Sequence, residues 1–148
     1  MDASKGISTL NDLIETCRDG EKGFRTAADG VKDPHVKALF ERYVRQRAEM
    51  VRELQEQVRK LCGNLDQSGS VSASLQRGWM NIKSLVTGND DGAIIAEAER
   101  GEDVAKAAYA KALKEDLPAG ARTLIQSQAD IVKLAHDEVR ALEKTHTR

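Results

Sequence analysis

Apolar residues recur three and four positions apart along four long segments of this 148-residue chain. That spacing places them on one face of an α-helix, so the pattern predicts four amphipathic helices packed around a shared core. The dipeptides Asp33-Pro34 and Leu117-Pro118 interrupt the pattern, because proline starts a helix well and continues one poorly. Both interruptions are short, so each flanking pair of helices is expected to form an antiparallel hairpin. The predicted helices cover 9–30, 34–62, 90–115 and 119–144, and Ser8 or Thr9 is the expected N-cap of the first helix.

The link between the second and third helices, residues 63–89, is too long for a tight turn. Its polar first half leads into a predicted amphipathic helix at about 72–86, on whose apolar face Trp79 should cover a seam of the bundle. A link of this size can travel the length of the bundle, which makes the second and third helices parallel. The sequence therefore predicts an all-α, single-domain protein (1–148) with the ferritin-like arrangement of two hairpins joined by one crossover.

Composition excludes several classes of function. The net charge is −1, with acids and bases interspersed, so nothing indicates a nucleic-acid or membrane partner. There is no apolar run long enough to span a bilayer and no signal sequence at the start, so a cytoplasmic protein is expected. Cys17 and Cys62 form no metal or redox motif, and we interpret them as reduced core or helix-end residues, with a redox or ligand role as the alternative.

Three stretches resemble a bacterial family of ferritin-like four-helix-bundle proteins of unknown function. They are LNDLIETCRDGEKGF in the first helix, SGSV with RGWMNIKS in the crossover, and AERGEDVAKAAYAKAL in the third helix. The resemblance extends over nearly the whole chain and is most specific in the RGW and ERGED segments. It implies a ferritin-like fold, a bacterial source and an intracellular setting, with some members described as stress-associated and no established activity.

Two Gly-Glu pairs, Gly20-Glu21 and Gly101-Glu102, place a carboxylate beside the apolar face of the first and third helices. A ferritin-like di-metal site needs one such glutamate from each of two helices and a Glu-x-x-His pair from each of the other two. The matching positions of the second and fourth helices hold Val44-x-x-Arg47 and Gln128-x-x-Ile131, without carboxylate or imidazole. We therefore expect no metal and no cofactor at the centre of the bundle, and a di-metal site that has been lost.

Arg47 falls in the middle of the apolar face of its helix, where an unpaired guanidinium would be costly to bury. We expect a buried polar cluster built at least on Glu21 and Arg47, in which Glu21, and Glu102 with it, accepts hydrogen bonds from Arg47, Gln128 and a tyrosine hydroxyl. The alternative is that these long side chains reach the helix boundaries and stay in water. The candidate members are Glu21, Arg47, Glu102, Gln128 and a tyrosine, Tyr43 or Tyr109.

The glycines need a separate explanation, because a mid-helix glycine costs about 1 kcal/mol relative to alanine. Close approach of a neighbouring helix or of the crossover at Gly20 and Gly101 is the preferred explanation, and a small bound ligand is the other. Acid pairs such as Glu97/Glu99 are interpreted as solvated helix faces, and His136 as a residue at the edge of the apolar face of the fourth helix.

Three functions remain open at this stage. The first, which we prefer, is a non-enzymatic protein that acts through its surface in binding, assembly or a stress response, with a homodimer as one candidate assembly. The second is a metal-binding or oxidoreductase protein that uses Glu21 and Glu102. The third is a histidine phosphotransfer bundle that uses His136.

Overall fold

The computed structural model of the chain describes residues 3–61, 78–88 and 90–146. Cys62, the SGSV segment and the predicted start of the crossover helix lie outside these residues. The described residues form five helices and no strand, which confirms the predicted all-α fold class. None of these helices combines the length and the apolarity that a membrane crossing requires. The helices are α1 (Ala3–Gly30), α2 (Pro34–Lys60), α3 (Ile82–Gly88), α4 (Asp91–Ala112) and α5 (Ala119–His146).

The ends of α1 and the crossover helix differ from the prediction. Ser8 and Thr9 lie inside α1, so the prediction that one of them caps it is wrong. Contacts of the first turns explain the longer helix: Lys5 pairs with Glu115 at 3.3 Å, and Ile7 packs against the core. In the described part of the crossover, residues 78–81 form a turn that contains Trp79, and α3 begins after it at Ile82.

Aspartates fix one end of the bundle. Asp33 caps α2 by accepting a hydrogen bond from the His35 amide at 2.9 Å, next to Pro34 at the first helical position. Asp90 caps α4 in the same way through the Gly92 amide, at 3.0 Å. The Asp91 carboxylate then accepts from the backbone amides of Lys32 and Asp33, at 2.8 and 3.0 Å. The end of α1 and the starts of α2 and α4 therefore lie together, which makes α2 and α4 parallel.

The C-terminus of α5 lies at this same end. His146 places Nε2 3.2 Å from the Asp33 carboxylate. The carbonyl of Leu142, and then Asp33, raise the pKa of His146 above its usual value. At the opposite end, a Cβ added to Gly6 would lie 3.2 Å from Pro118 and 3.6 Å from Leu61. The four long helices thus form two antiparallel hairpins joined by the crossover, as predicted.

The core consists of two apolar clusters that follow one another along the bundle. The first cluster contains Cys17, Met50 and Ala105, whereas the second contains Phe24, Tyr43 and Ala98. On each of α1, α2 and α4, the nearest buried members of the two clusters are about two helical turns apart. The residues that fall in this gap are Gly20 on α1, Arg47 on α2, and Gly101 and Glu102 on α4.

Candidate functional site: a buried ion pair at the centre of the bundle

Arg47 on α2 and Glu102 on α4 form a two-point ion pair between the two apolar clusters. Nη1 donates to Oε1 at 2.8 Å and Nη2 donates to Oε2 at 2.6 Å, and each side chain is only 1% exposed. Burial lowers the pKa of Arg47, but the charge and hydrogen bonds of Glu102 outweigh that effect and raise the pKa overall. The guanidinium therefore stays charged, and the parallel geometry of the two bonds fixes the register of α2 against α4.

Helix α1 makes room for this ion pair at Gly20. A Cβ at Gly20 would lie 2.9 Å from Nη1 and 3.6 Å from Cγ of Arg47, so a larger residue would press on the guanidinium. One turn further along α1, the Phe24 ring centroid lies 5.5 Å from Cζ of Arg47, within the range of a cation–π contact. The expectation that the helix glycines permit a close approach is confirmed here.

Glu21 does not take part in this ion pair. Its carboxylate lies 3.3 Å from Arg25 on the same helix, and its side chain is 25% exposed. The prediction that Glu21 is the acid that neutralises Arg47 is therefore wrong, and Glu102 holds that place. The reason is the rotation of α1: Gly20 faces the interior at this level, which turns Glu21 by about 100° toward the surface.

A second chain of hydrogen bonds lies beside the ion pair. Tyr109 donates its hydroxyl proton to Gln128 Oε1 at 2.6 Å, which leaves the Cys17 thiol to donate to the same hydroxyl oxygen at 3.1 Å. Gln128 Nε2 donates to the Met50 carbonyl at 3.2 Å and to Glu53 at 2.9 Å. Tyr109 and Gln128 thus belong to the polar interior, as predicted, but they bind each other and not Glu21 or Glu102.

The thiol of Cys17 and the hydroxyl of Tyr109 stay protonated. Burial raises the pKa of Cys17 to about 11, so its thiol is not a nucleophile near neutral pH. Burial and the neighbouring Cys17 raise the pKa of Tyr109 well above its usual value. These directions fit a structural role for Cys17 and Tyr109.

Tyr43, the other candidate tyrosine, is turned away from the ion pair. Its ring is part of the second apolar cluster, and its hydroxyl donates to Glu138 on α5. Burial, and then that carboxylate, raise the pKa of Tyr43. The prediction that Tyr43 or Tyr109 donates to Glu21 or Glu102 is not met by either tyrosine.

Replacing Tyr109 by phenylalanine is expected to lower the free energy of unfolding by roughly 1–2 kcal/mol. The change keeps the ring but leaves the Cys17 thiol and Gln128 Oε1 without their shared partner in a dry interior. Urea denaturation followed by circular dichroism measures the effect. Thr16→Val is a suitable comparison, because the hydroxyl of Thr16 bonds only a carbonyl of its own helix at an exposed position.

The crossover enters the bundle beside the ion pair. The Trp79 ring lies between two glycines, since a Cβ at Gly23 or Gly101 would come within 2.2 or 2.3 Å of it. Trp79 also meets Phe24 edge to face, with ring centroids 4.9 Å apart, and the prediction that it covers an apolar seam is confirmed. Glu97 on α4 accepts a hydrogen bond from the Asn81 amide at 2.8 Å and is buried, so its interpretation as a solvated residue is wrong.

His136 is buried, whereas its position at the edge of the apolar face of α5 predicts a partly exposed ring. It is 2% exposed, and it faces carboxylates on α4. Within residues 3–61, 78–88 and 90–146, one group of three metal-ligating side chains lies close enough together to bind one ion: Glu99, Asp103 and His136. At the centre of the bundle, both carboxylate oxygens of Glu102 accept hydrogen bonds from Arg47.

Four long helices, a crossover between parallel helices and polar groups at mid-bundle define a ferritin-like four-helix bundle. A family described as a domain of unknown function (DUF2383) matches residues 5–115, and the chain belongs to this family. The resemblance stated from the sequence is thereby confirmed.

One solved structure with this fold is a two-domain protein from Anabaena variabilis that contains DJ-1/ThiJ/PfpI-like and ferritin-like domains. It matches all of this chain with a TM-score of 0.80 at 16% sequence identity, so the likeness shows the fold alone. The chain spans 41% of the length of that protein. No curated protein sequence matches the chain.

Proposed function

We propose that this protein is a non-enzymatic, cytoplasmic ferritin-like bundle that acts through its surface, in binding, assembly or a stress response. In this proposal a charged side-chain pair fills the place of a di-metal centre. The single observation that carries it is the ion pair of Arg47 and Glu102, buried to 1% exposure at the middle of the bundle.

The chemistry of that pair supports the proposal. A di-metal site concentrates carboxylates and imidazoles around two cations, whereas this position holds one carboxylate neutralised by a permanent cation. A metal ion would have to displace Arg47 and leave its guanidinium buried without a counter-charge, which is strongly unfavourable. Beside the pair, Cys17, Tyr109 and Gln128 bond one another, and the thiol and the phenol hydroxyl stay protonated.

The two other functions have less support. Metal chemistry through Glu21 and Glu102 would need both acids at one point, but Glu21 faces Arg25 near the surface. Phosphotransfer would need an accessible imidazole, but His136 is buried against Asp103. For partners, the mixed surface charge favours a protein, including a second copy of this chain, over nucleic acid or a membrane.

Iron oxidation by tag-free protein tests this proposal. The variant Asp103→Asn is used, because it removes a carboxylate from the group of Glu99, Asp103 and His136 and leaves the ion pair at the centre of the bundle intact. We expect ferrous iron to oxidise in air at the rate of buffer alone, with no iron or manganese retained after gel filtration. The proposal is contradicted if the Asp103→Asn variant oxidises iron faster than buffer, or retains stoichiometric metal, and if adding Glu21→Gln to this variant removes that activity or that metal.

A further inference from the structure

A group of metal-ligating side chains lies between α4 and α5, away from the ion pair. Glu99 and Asp103 are four residues apart on α4, so they project from the same face of the helix. His136 on α5 faces both: its Nε2 lies 2.7 Å from Asp103 Oδ1 and 3.7 Å from Glu99 Oε2. One ligand atom from each of the three lies within 4.8 Å of the other two.

The imidazole of His136 is held in place from behind. Its Nδ1 lies 3.2 Å from Asp137 Oδ1, while Nε2 points at the two acids of α4. A carboxylate on Nδ1 is the usual support of a metal-binding histidine. Nε2, the nitrogen that an ion would bind, now lies within hydrogen-bond distance of Asp103, so the ion would take the place of a proton between them. Because the ring is 2% exposed, surrounding residues restrict its rotation. Burial and orientation distinguish this group from an ordinary cluster of surface acids.

From this geometry we propose that Glu99, Asp103 and His136 bind one divalent transition-metal ion of the Zn²⁺ class at the α4–α5 seam. One imidazole nitrogen with two carboxylate oxygens is a borderline ligand set, suited to zinc and its neighbours and not to Ca²⁺ or Mg²⁺, which prefer oxygen alone. Three protein ligands leave a fourth position for water. Asp103 is 60% exposed, so solvent reaches that position.

Side-chain movements of about 1.5 Å or less would form the site, since the three ligand atoms already lie within 4.8 Å of one another. Ligand atoms about 2.0–2.1 Å from a tetrahedral ion lie about 3.3 Å from one another. Nε2 and Asp103 Oδ1, now 2.7 Å apart, would separate by roughly 0.6 Å, while Glu99 would approach by roughly 0.4 Å. Asp103 has room to move because its side chain is mostly exposed.

The surrounding charges favour a cation. Glu143 hydrogen-bonds Glu99, a contact that needs one proton between the two carboxyl groups, so this pair adds one negative charge to those of Asp103 and Asp137. Two cations face this group: Lys133 lies 3.1 Å from Asp137, and Arg140 Nε lies 3.7 Å from Glu99. The contacting acids outnumber the bases, so a bound divalent ion would relieve repulsion among them.

Calorimetric titration of tag-free, chelator-treated protein with Zn²⁺ tests the site. We expect one ion per chain and an affinity on the order of 100-fold lower in Asp103→Asn, which loses a ligand at an exposed position. Asp137→Asn should weaken binding by about 10-fold, because Asp137 orients the ring without touching the ion. Glu56→Gln is the matched control, since it removes an equal charge from an exposed pair with Arg59 and should change nothing.

Two results would overturn the site. One is the absence of saturable Zn²⁺ binding to the wild-type protein. The other is Zn²⁺ binding that Asp103→Asn leaves unchanged, because the ion would then lie elsewhere. This conclusion holds whether or not Glu21→Gln, a change at the centre of the bundle, abolishes the binding. Circular dichroism of each variant shows whether it is folded. Co²⁺ is a second probe of the site, because its binding can be measured by visible absorption, and His136→Gln should abolish that binding.

Discussion

Replacing Arg47 by methionine is expected to lower the free energy of unfolding by roughly 3–5 kcal/mol. Methionine fills much of the same space, so the loss comes chiefly from Glu102, whose charge would stay buried without its partner. A carboxylate in that position must either remain charged in an apolar interior or take up a proton, and both cost free energy. Urea denaturation at neutral pH, followed by circular dichroism, measures the difference.

Arg52→Met on the same helix is the matched control. Arg52 also pairs with a glutamate, Glu49, but its side chain is 65% exposed. An exposed pair of this kind contributes about 0–1 kcal/mol, so this variant should be close to wild type. If Arg47→Met were also within about 1 kcal/mol of wild type, the ion pair could not be the element that holds the centre of the bundle.

Replacing Gly101 by alanine is expected to lower the free energy of unfolding by about 3 kcal/mol, although alanine is the better helix former. The added methyl group would lie 2.3 Å from the Trp79 ring. The ring cannot retreat, because Gly23 on α1 lies against it from the other side. The part of the crossover that carries Trp79 would have to move out from between α1 and α4.

Fluorescence reports this displacement directly, because Trp79 is the single tryptophan of the chain. We expect its emission to shift to longer wavelength in Gly101→Ala as the ring meets water. Gly120→Ala is the control: a Cβ there would meet one atom, Oε1 of Gln57, at an ordinary 3.7 Å. Unchanged emission in Gly101→Ala, or an equal loss of stability in Gly120→Ala, would show that the two glycines do not seat the ring.

Helix boundaries were predictable where local chemistry sets them. Asp33-Pro34 combines a capping side chain with a residue preorganised for the first helical turn, so the start of α2 could be derived from two residues. The start of α1 depends instead on tertiary contacts: Gly6 packs against Leu61 and Pro118, and Ile7 packs against the first apolar cluster. Such long-range contacts leave no local signal, so Ser8 and Thr9 have the sequence pattern of caps although they lie inside α1.

The candidate site was only half predictable, for a similar reason. Arg47 lies so centrally on the apolar face of α2 that its burial, and hence its need for an acid, follow from the spacing alone. Which acid pairs with Arg47 depends on how α1 and α4 are rotated about their axes. Glu21 and Glu102 occupy equivalent positions in their own helices, and only the packed bundle turns Gly20 inward and Glu21 outward.

The group at the α4–α5 seam was missed altogether. Glu99 and Asp103 alone have the spacing of a solvated helix face, and His136 alone lies at the margin of an apolar stripe. Their meeting requires the register of α4 against α5, which residue spacing within one helix does not contain. Glu97 was missed likewise, because its partner is a backbone amide of the crossover.

A double-mutant cycle on Arg47 and Glu102 tests the central claim most directly. The free energy of unfolding is measured for wild type, Arg47→Met, Glu102→Leu and the double variant. If the two charges neutralise each other in a dry interior, the double variant should be more stable than either single variant, with a coupling energy on the order of 3 kcal/mol. Additive losses, with the double variant the least stable of the four, would contradict a bundle centre built on this ion pair.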